Sequence, residues 1–194
     1  MSVEADSNNI AVPNLFAIHT LDAAKKATLL EKSLPPTRTS PLNVYIQINT
    51  SGEETKSGIP PLRVSDALEA KDVAQVTILA RHILSNCPRL HLRGLMTIGS
   101  IEQSTSAEDN EDFARLTETA TILEGLLRGD EEGKNESANW GIDGKLELSM
   151  GMSGDFEQAI RIGAGIVRVG SAIFGQRRTK EQVASEVSVR DLNM

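Results

Sequence analysis

Short apolar runs alternate along the chain with longer stretches whose apolar residues recur every three or four positions. Leu15–Ile18 predicts a short strand, and Asp22 then stands as the N-cap of a helix with apolar positions Ala23, Ala27, Leu30 and Leu34. After the loop Pro35–Pro41, the segment Leu42–Asn49 alternates strictly. Leu42, Val44, Ile46 and Ile48 are apolar, whereas Asn43, Tyr45, Gln47 and Asn49 are not, which is the pattern of a strand with one covered face. The next helix is predicted over roughly Asp72–Leu84, with Val73, Val76, Leu79 or Ala80, and Ile83 on one stripe.

Leu92–Ile98 reads as a third strand. Ser106-Ala-Glu-Asp109 resembles a capping box before a helix whose apolar positions are Phe113, Leu116, Ala120, Leu123 and Leu127. Arg128–Asn139 is charged and contains glycine, so it reads as a mobile loop. Leu146–Met150 is the fourth expected strand, Ser153 is the expected cap of a helix through about Ile162, and Ile166–Gly170 is the fifth strand. Thr179-x-x-Gln182 opens a last predicted helix near Glu181–Val189. Strand followed by helix, five times over, argues for an α/β fold with a parallel sheet and right-handed crossovers. A polar tail, residues 1–14, precedes one domain over residues 15–194, without an internal repeat.

Composition narrows the functional classes. Twenty Lys and Arg stand against 27 Asp and Glu, a net charge of −7, and only 3% of residues are aromatic. Such a chain lacks the basic surface that nucleic-acid binding needs. No run of 18 apolar residues occurs, and the start MSVEADSNNI has neither the basic nor the apolar part of a signal peptide. One cysteine, Cys87, cannot build a disulfide framework, and before Pro88 at a helix end it reads as structural. The expectation is a cytoplasmic protein, with a mitochondrial location left open, that engages neither membranes nor nucleic acid.

In a parallel α/β domain, ligands bind in the loops that follow the C-terminal ends of strands. That selects Asn49–Glu53, Ser149–Ser153 and Gly170–Gly175, two of them rich in Gly and Ser, where freed backbone N–H groups and hydroxyls can cradle a phosphate. Arg168 falls within Ile166–Gly170 on the face opposite Val167 and Val169, so it is expected to point inward. A buried guanidinium needs a partner, and Glu147 on the preceding strand is the candidate; a ligand's ring or acid is the other reading. Ser149 is read as a cap or a phosphate contact, and Ser153 as a helix cap first. Gly163–Gly170 is not G-x-G-x-x-G, and Gly52–Ser57 lacks the glycine a P-loop has before its lysine. His19, His82 and His91 have no metal-ligand spacing, and no pair of acidic residues stands out as a catalytic dyad.

Four segments in order carry a family resemblance: Asn49-Thr-Ser-Gly-Glu-Glu-Thr-Lys-Ser-Gly58, Leu92-Arg-Gly-Leu-Met-Thr-Ile98, Leu148-Ser-Met-Gly-Met-Ser-Gly-Asp155 and Val167-Arg-Val-Gly-Ser-Ala-Ile-Phe-Gly175. Together they resemble the pyridoxal phosphate (PLP) homeostasis proteins, relatives of the alanine racemase N-terminal barrel, over about Leu15 to Arg177. The resemblance implies a (β/α)₈ TIM barrel that binds pyridoxal 5'-phosphate and hands it to PLP-dependent apoenzymes, with no established turnover. It implies that Ser149, Gly170 and Ser171 contact the phosphate, the family usually having Thr where Ser171 stands. It also places Arg168 against the pyridine nitrogen, which keeps that nitrogen unprotonated. Met150 and Ser153 of the same loop complete the implied cofactor-binding set.

The family's PLP-binding lysine, its Gly-Glu-Asn segment and its Trp-His-Phe-Ile-Gly-His segment are absent, and the first strand here matches the family's fourth. The expectation is therefore an N-terminally truncated member with about five βα units, strands 4–8 of the barrel, and weak, non-covalent PLP binding. Lys145 and Lys56 are poorly placed to replace the missing lysine, so racemase chemistry is not expected. The alternative is a non-catalytic interaction partner, or an inactive fragment without PLP affinity, that self-associates through exposed sheet edges.

Overall fold

The computed structural model describes residues 14–66, 68–105, 110–131 and 139–175. Its centre is a four-stranded, all-parallel sheet in the order β1-β2-β3-β4: β1 is Ala17–Leu21, β2 is Leu42–Gln47, β3 is Leu90–Met96 and β4 is Glu147–Ser149. Helices α1 (Ala24–Ser33), α2 (Leu68–Asp72) and α3 (Gln75–Asn86) lie in the first two crossovers. Helices α4 (Ile101–Thr105) and α5 (Glu111–Glu131) link β3 to β4, and α6 (Phe156–Ile162) and α7 (Ser171–Phe174) follow β4. Consecutive parallel βα units of this kind make up part of a (β/α)₈ barrel.

The alternation in β2 fixes which face is covered. Leu42, Val44 and Ile46 are wholly buried, in one core with Ala27 and Leu30 of α1, Val76, Leu79, Ala80 and Ile83 of α3, and Phe113, Leu116, Ala120, Leu123 and Leu127 of α5. Each fully buried aliphatic side chain contributes about 1.5–3 kcal/mol. Both main helical stripes read from the sequence are thus the buried ones, with one exception. Val73 is 68% exposed, because residues before Gln75 form the separate α2 and a turn, which breaks the phase of the stripe.

Several expected boundaries move. β1 runs from Ala17 to Leu21, not Leu15 to Ile18, and so takes His19 into the sheet. α1 is capped at Ala23 without a side-chain bond, and Asp22 instead pairs with Lys26 at 2.6 Å. The amide groups of Asp112 and Phe113 donate to Asn110 Oδ1 at 3.0 and 3.2 Å, making Asn110 the cap of α5. The capping box at Ser106–Asp109 and the helix near Glu181–Val189 lie outside the described residues. The stretch beginning at Arg128 continues α5 as far as Glu131. Ile166–Gly170 is not a full strand: one parallel bridge joins Ser149 to Ile166, and Met150 N–H and Arg168 N–H donate to Ile166 O and Gly151 O at 3.1 and 3.0 Å. It runs as an extended segment beside β4.

One glycine sets the spacing of the last strand pair. A Cβ on Gly94 would stand 1.9 Å from the carbonyl oxygen of Glu147, so β3 and β4 approach as they do only because that side chain is missing.

Candidate functional site

The sheet face away from the helices carries a row of polar groups. The pairing of Ile18 with Val44 sets His19 abreast of Tyr45, and their rings stack with centroids 4.1 Å apart and planes 18° from parallel. Tyr45 is fully buried and its hydroxyl donates to Glu147 Oε2 at 2.5 Å. Arg93 Nε donates to the same oxygen at 2.7 Å. Burial alone would raise the Glu147 pKa, but the Tyr45 hydroxyl and Arg93 outweigh it and hold the carboxyl below its ordinary range. Burial and that carboxylate push the Tyr45 phenol up. Gly165 passes over the carboxylate, where a Cβ would meet Glu147 Cγ at 2.6 Å.

Arg168 reaches the same face near the C-terminal ends of the strands. Its Nη1 donates to Ser149 Oγ at 2.8 Å and to Ser149 O at 3.2 Å, and its Nη2 donates to Thr97 O at 2.6 Å. The expected partner, Glu147, does not hold it: that carboxylate stands lower on β4 and is taken by Tyr45 and Arg93. Among the described residues Arg168 forms no ion pair with any carboxylate. Burial accordingly pulls its pKa down, with only Asp155 opposing through its charge. His19 completes the group, its Nδ1 3.1 Å from Ser149 Oγ. Burial first, and the Arg168 charge second, lower the pKa of this imidazole, against the pull of Glu147.

Ser153 does not cap α6, whose N-cap is Asp155. Its hydroxyl oxygen instead accepts from Gly170 N–H at 3.1 Å and Ala172 N–H at 3.3 Å, tying the loop after β4 to the start of α7. The sequence-selected residues thus form two separate bridges, Arg168 to Ser149 and Ser153 to the amides of Gly170 and Ala172 on either side of Ser171, with Gly170 and Ser171 exposed. Met150 stands apart, its side chain wholly buried in the core. In the loop after β2, Asn49 Oδ1 accepts from Gly52 N–H and from the Ser51 hydroxyl, both at 3.1 Å. Lys56 Nζ donates to Glu53 of the same loop at 2.6 Å and to Gly99 O in the loop after β3 at 2.7 Å, so it ties those two loops together. No cluster of three metal-ligating side chains occurs among the described residues.

His19 is the member that sequence reasoning missed. The signal was partial: period two puts His19 on the face opposite its neighbour Ile18, but a register shift between Ile18 and Leu21 turns Leu21 to the core side and breaks the alternation. Ending the strand at Ile18 hid it. What the group can do follows from its charges. A half-buried fork of N–H donors with no counter-ion among the described residues, beside an imidazole at the strand ends, suits an anionic group or an aromatic ring nitrogen with a lone pair.

No family model matches the chain. Against curated proteins it is 39% identical over 171 residues to the pyridoxal phosphate homeostasis protein of Schizosaccharomyces pombe, covering 88% of this chain and 60% of that one. The human protein of the same name is 39% identical over 170 residues, covering 87% and 53%, and that of Haemophilus influenzae is 36% identical over 175, covering 90% and 62%. The chain thus spans between half and two thirds of the length of these relatives. Among solved structures, an unknown protein from Bifidobacterium adolescentis superposes with a TM-score of 0.60 at 30% identity, covering 88% of this chain and 58% of that one. PipY of Synechococcus elongatus with PLP bound superposes with a TM-score of 0.54 at 23% identity, covering 90% and 69%, which shows a shared fold.

Proposed function

The chain is related to the pyridoxal phosphate homeostasis proteins, and we propose that it binds pyridoxal 5'-phosphate at the C-terminal ends of its strands. The observation that carries the reading is Arg168, a half-buried guanidinium held, among the described residues, by neutral oxygens alone. A cation so placed favours a ligand that brings electron density to it. In this reading Arg168 donates to the pyridine nitrogen, while Gly170, Ser171 and Ser153 lie on the phosphate side, Ser149 supports the site from the end of β4, and Met150 contributes only through its backbone, its side chain being in the core.

Bound PLP supplies an electron-accepting ring and an aldehyde. A guanidinium at its ring nitrogen keeps that nitrogen unprotonated and weakens the ring as an electron sink, which suits holding the cofactor better than turning over a substrate. The described lysines support reversible binding: Lys25, Lys26 and Lys32 lie on α1, Lys71 on α2, Lys56 is bonded to Glu53 and Gly99, and Lys145 is exposed. The partners proposed with it are PLP-dependent apoenzymes that receive the cofactor, in the cytoplasm, and further copies of the chain along its sheet edges. Among the described residues no helix is long and apolar enough to cross a membrane.

The test is to mix the purified chain with PLP, remove free ligand by desalting, and record visible absorbance before and after borohydride. Retained PLP that borohydride cannot fix is the expected result. No retained PLP overturns the reading, and a covalently fixed band overturns its reversible part, with peptide mapping to identify which of the eight lysines took it.

A further inference from the structure

Ser149 is fully buried, so its hydroxyl proton must end on an acceptor inside the protein. The hydroxyl oxygen already accepts from Arg168 Nη1 at 2.8 Å, since a guanidinium can only donate. The other polar partner of that hydroxyl among the described residues is His19 Nδ1, at 3.1 Å. A proton on Nδ1 would leave the serine proton without an acceptor. The ring is therefore the tautomer with its proton on Nε2, and its depressed pKa keeps it neutral. Tyr45, stacked on the imidazole and anchored through Glu147, fixes the plane of the ring.

We infer that Ser149 and His19 are positioning residues for Arg168, and that Ser149 gives no hydrogen bond to the cofactor's phosphate. The inference rests on the PLP reading above. Phosphate oxygens only accept, and the one proton Ser149 has to give is committed to His19. The serine oxygen and carbonyl grip one side of the guanidinium and the Thr97 carbonyl grips the other, leaving its remaining N–H edge to face a ring. His19 acts at a distance, by holding the serine hydroxyl in the rotamer that offers its oxygen to Arg168.

The full chain, S149A, H19L and H19N are compared by equilibrium dialysis against PLP and against pyridoxal, which lacks the phosphate. S149A and H19L should weaken both ligands by the same factor, about tenfold for one lost charge-assisted bond. H19N, whose Oδ1 can take the place of Nδ1, should recover most of the loss. A tenfold loss for PLP with pyridoxal unchanged in S149A would make Ser149 a phosphate ligand and overturn the inference. Nitrogen-15 spectra of the three histidine rings give a readout that needs no ligand, so it stands even if PLP binding itself fails. One ring, absent in H19N, should be purely the Nε2–H form at pH 7.5 and admit the Nδ1–H form in S149A; an Nδ1–H or cationic ring in the parent chain overturns the inference.

Discussion

Arg93 on β3 and Glu147 on β4 form a 2.7 Å ion pair on the helix-free face of the sheet, with the Tyr45 hydroxyl on the same carboxylate oxygen. The folded-state pKa of Glu147 is depressed, so the pair stabilises the fold fully above the unfolded value of 4.5 and loses that stabilisation as pH falls through the folded value. Urea midpoints between pH 7 and pH 3 should decline accordingly. Glu147→Gln should flatten that decline and cost about 1–3 kcal/mol at neutral pH, less than for a fully buried pair because both side chains keep some exposure.

A second pH effect comes from His19, which faces Arg168, Tyr45 and Glu147. Its folded pKa lies below the unfolded 6.5, so the unfolded chain takes up the proton first. Stability present above pH 6.5 should be lost as pH falls through the folded value, in a window that opens above that of Glu147. His19→Asn should remove this upper component of the pH profile and leave the acid limb in place.

Gly94→Ala should be among the most damaging single substitutions in the chain. The added carbon would have to move the Glu147 backbone, which a parallel ladder cannot yield without losing its hydrogen bonds. A loss of about 4 kcal/mol or more in chemical denaturation is expected, compared with little effect for Gly125→Ala, where nothing lies within 4 Å.

Ser153→Ala should loosen one end of the site without melting the sheet. It removes the acceptor of the Gly170 and Ala172 amides, a change of about 1 kcal/mol. Amide exchange at Gly170 and Ala172 should accelerate, while exchange at Ile46 and Leu95 stays as slow as in the parent chain.

Much of this fold is legible in the sequence because its core is written in simple periods. Leu42, Val44 and Ile46 alternate with polar residues, and Phe113 to Leu127 keep one helical face; all are buried as those periods require. Val73 failed because periodicity cannot tell where one helix ends and another begins. The Arg168–Glu147 pairing failed for a different reason. Strand alternation assigns a side chain to a face but says nothing of its height along the neighbouring strand, and Ser149, not Glu147, stands level with the guanidinium. The His19 contact depends on the register of β1 on β2 and on Ser149 reached from β4, neither of which a local pattern encodes.

The sheet order repeats the chain order, so each strand finds its partner in the one laid down just before it. Such a fold can assemble progressively from one end as the polypeptide emerges, each unit docking on a finished edge. Arg168 follows, and everything it grips, Thr97 just past β3, Ser149 of β4 and, through Ser149, His19 of β1, lies on or beside strands that precede it in the chain. The proposed site is thus completed by a segment that pairs with the sheet through one bridge only. If the proposed site holds a ligand, fraying of the segment from Ile166 onward would open it while the four-stranded sheet stayed intact.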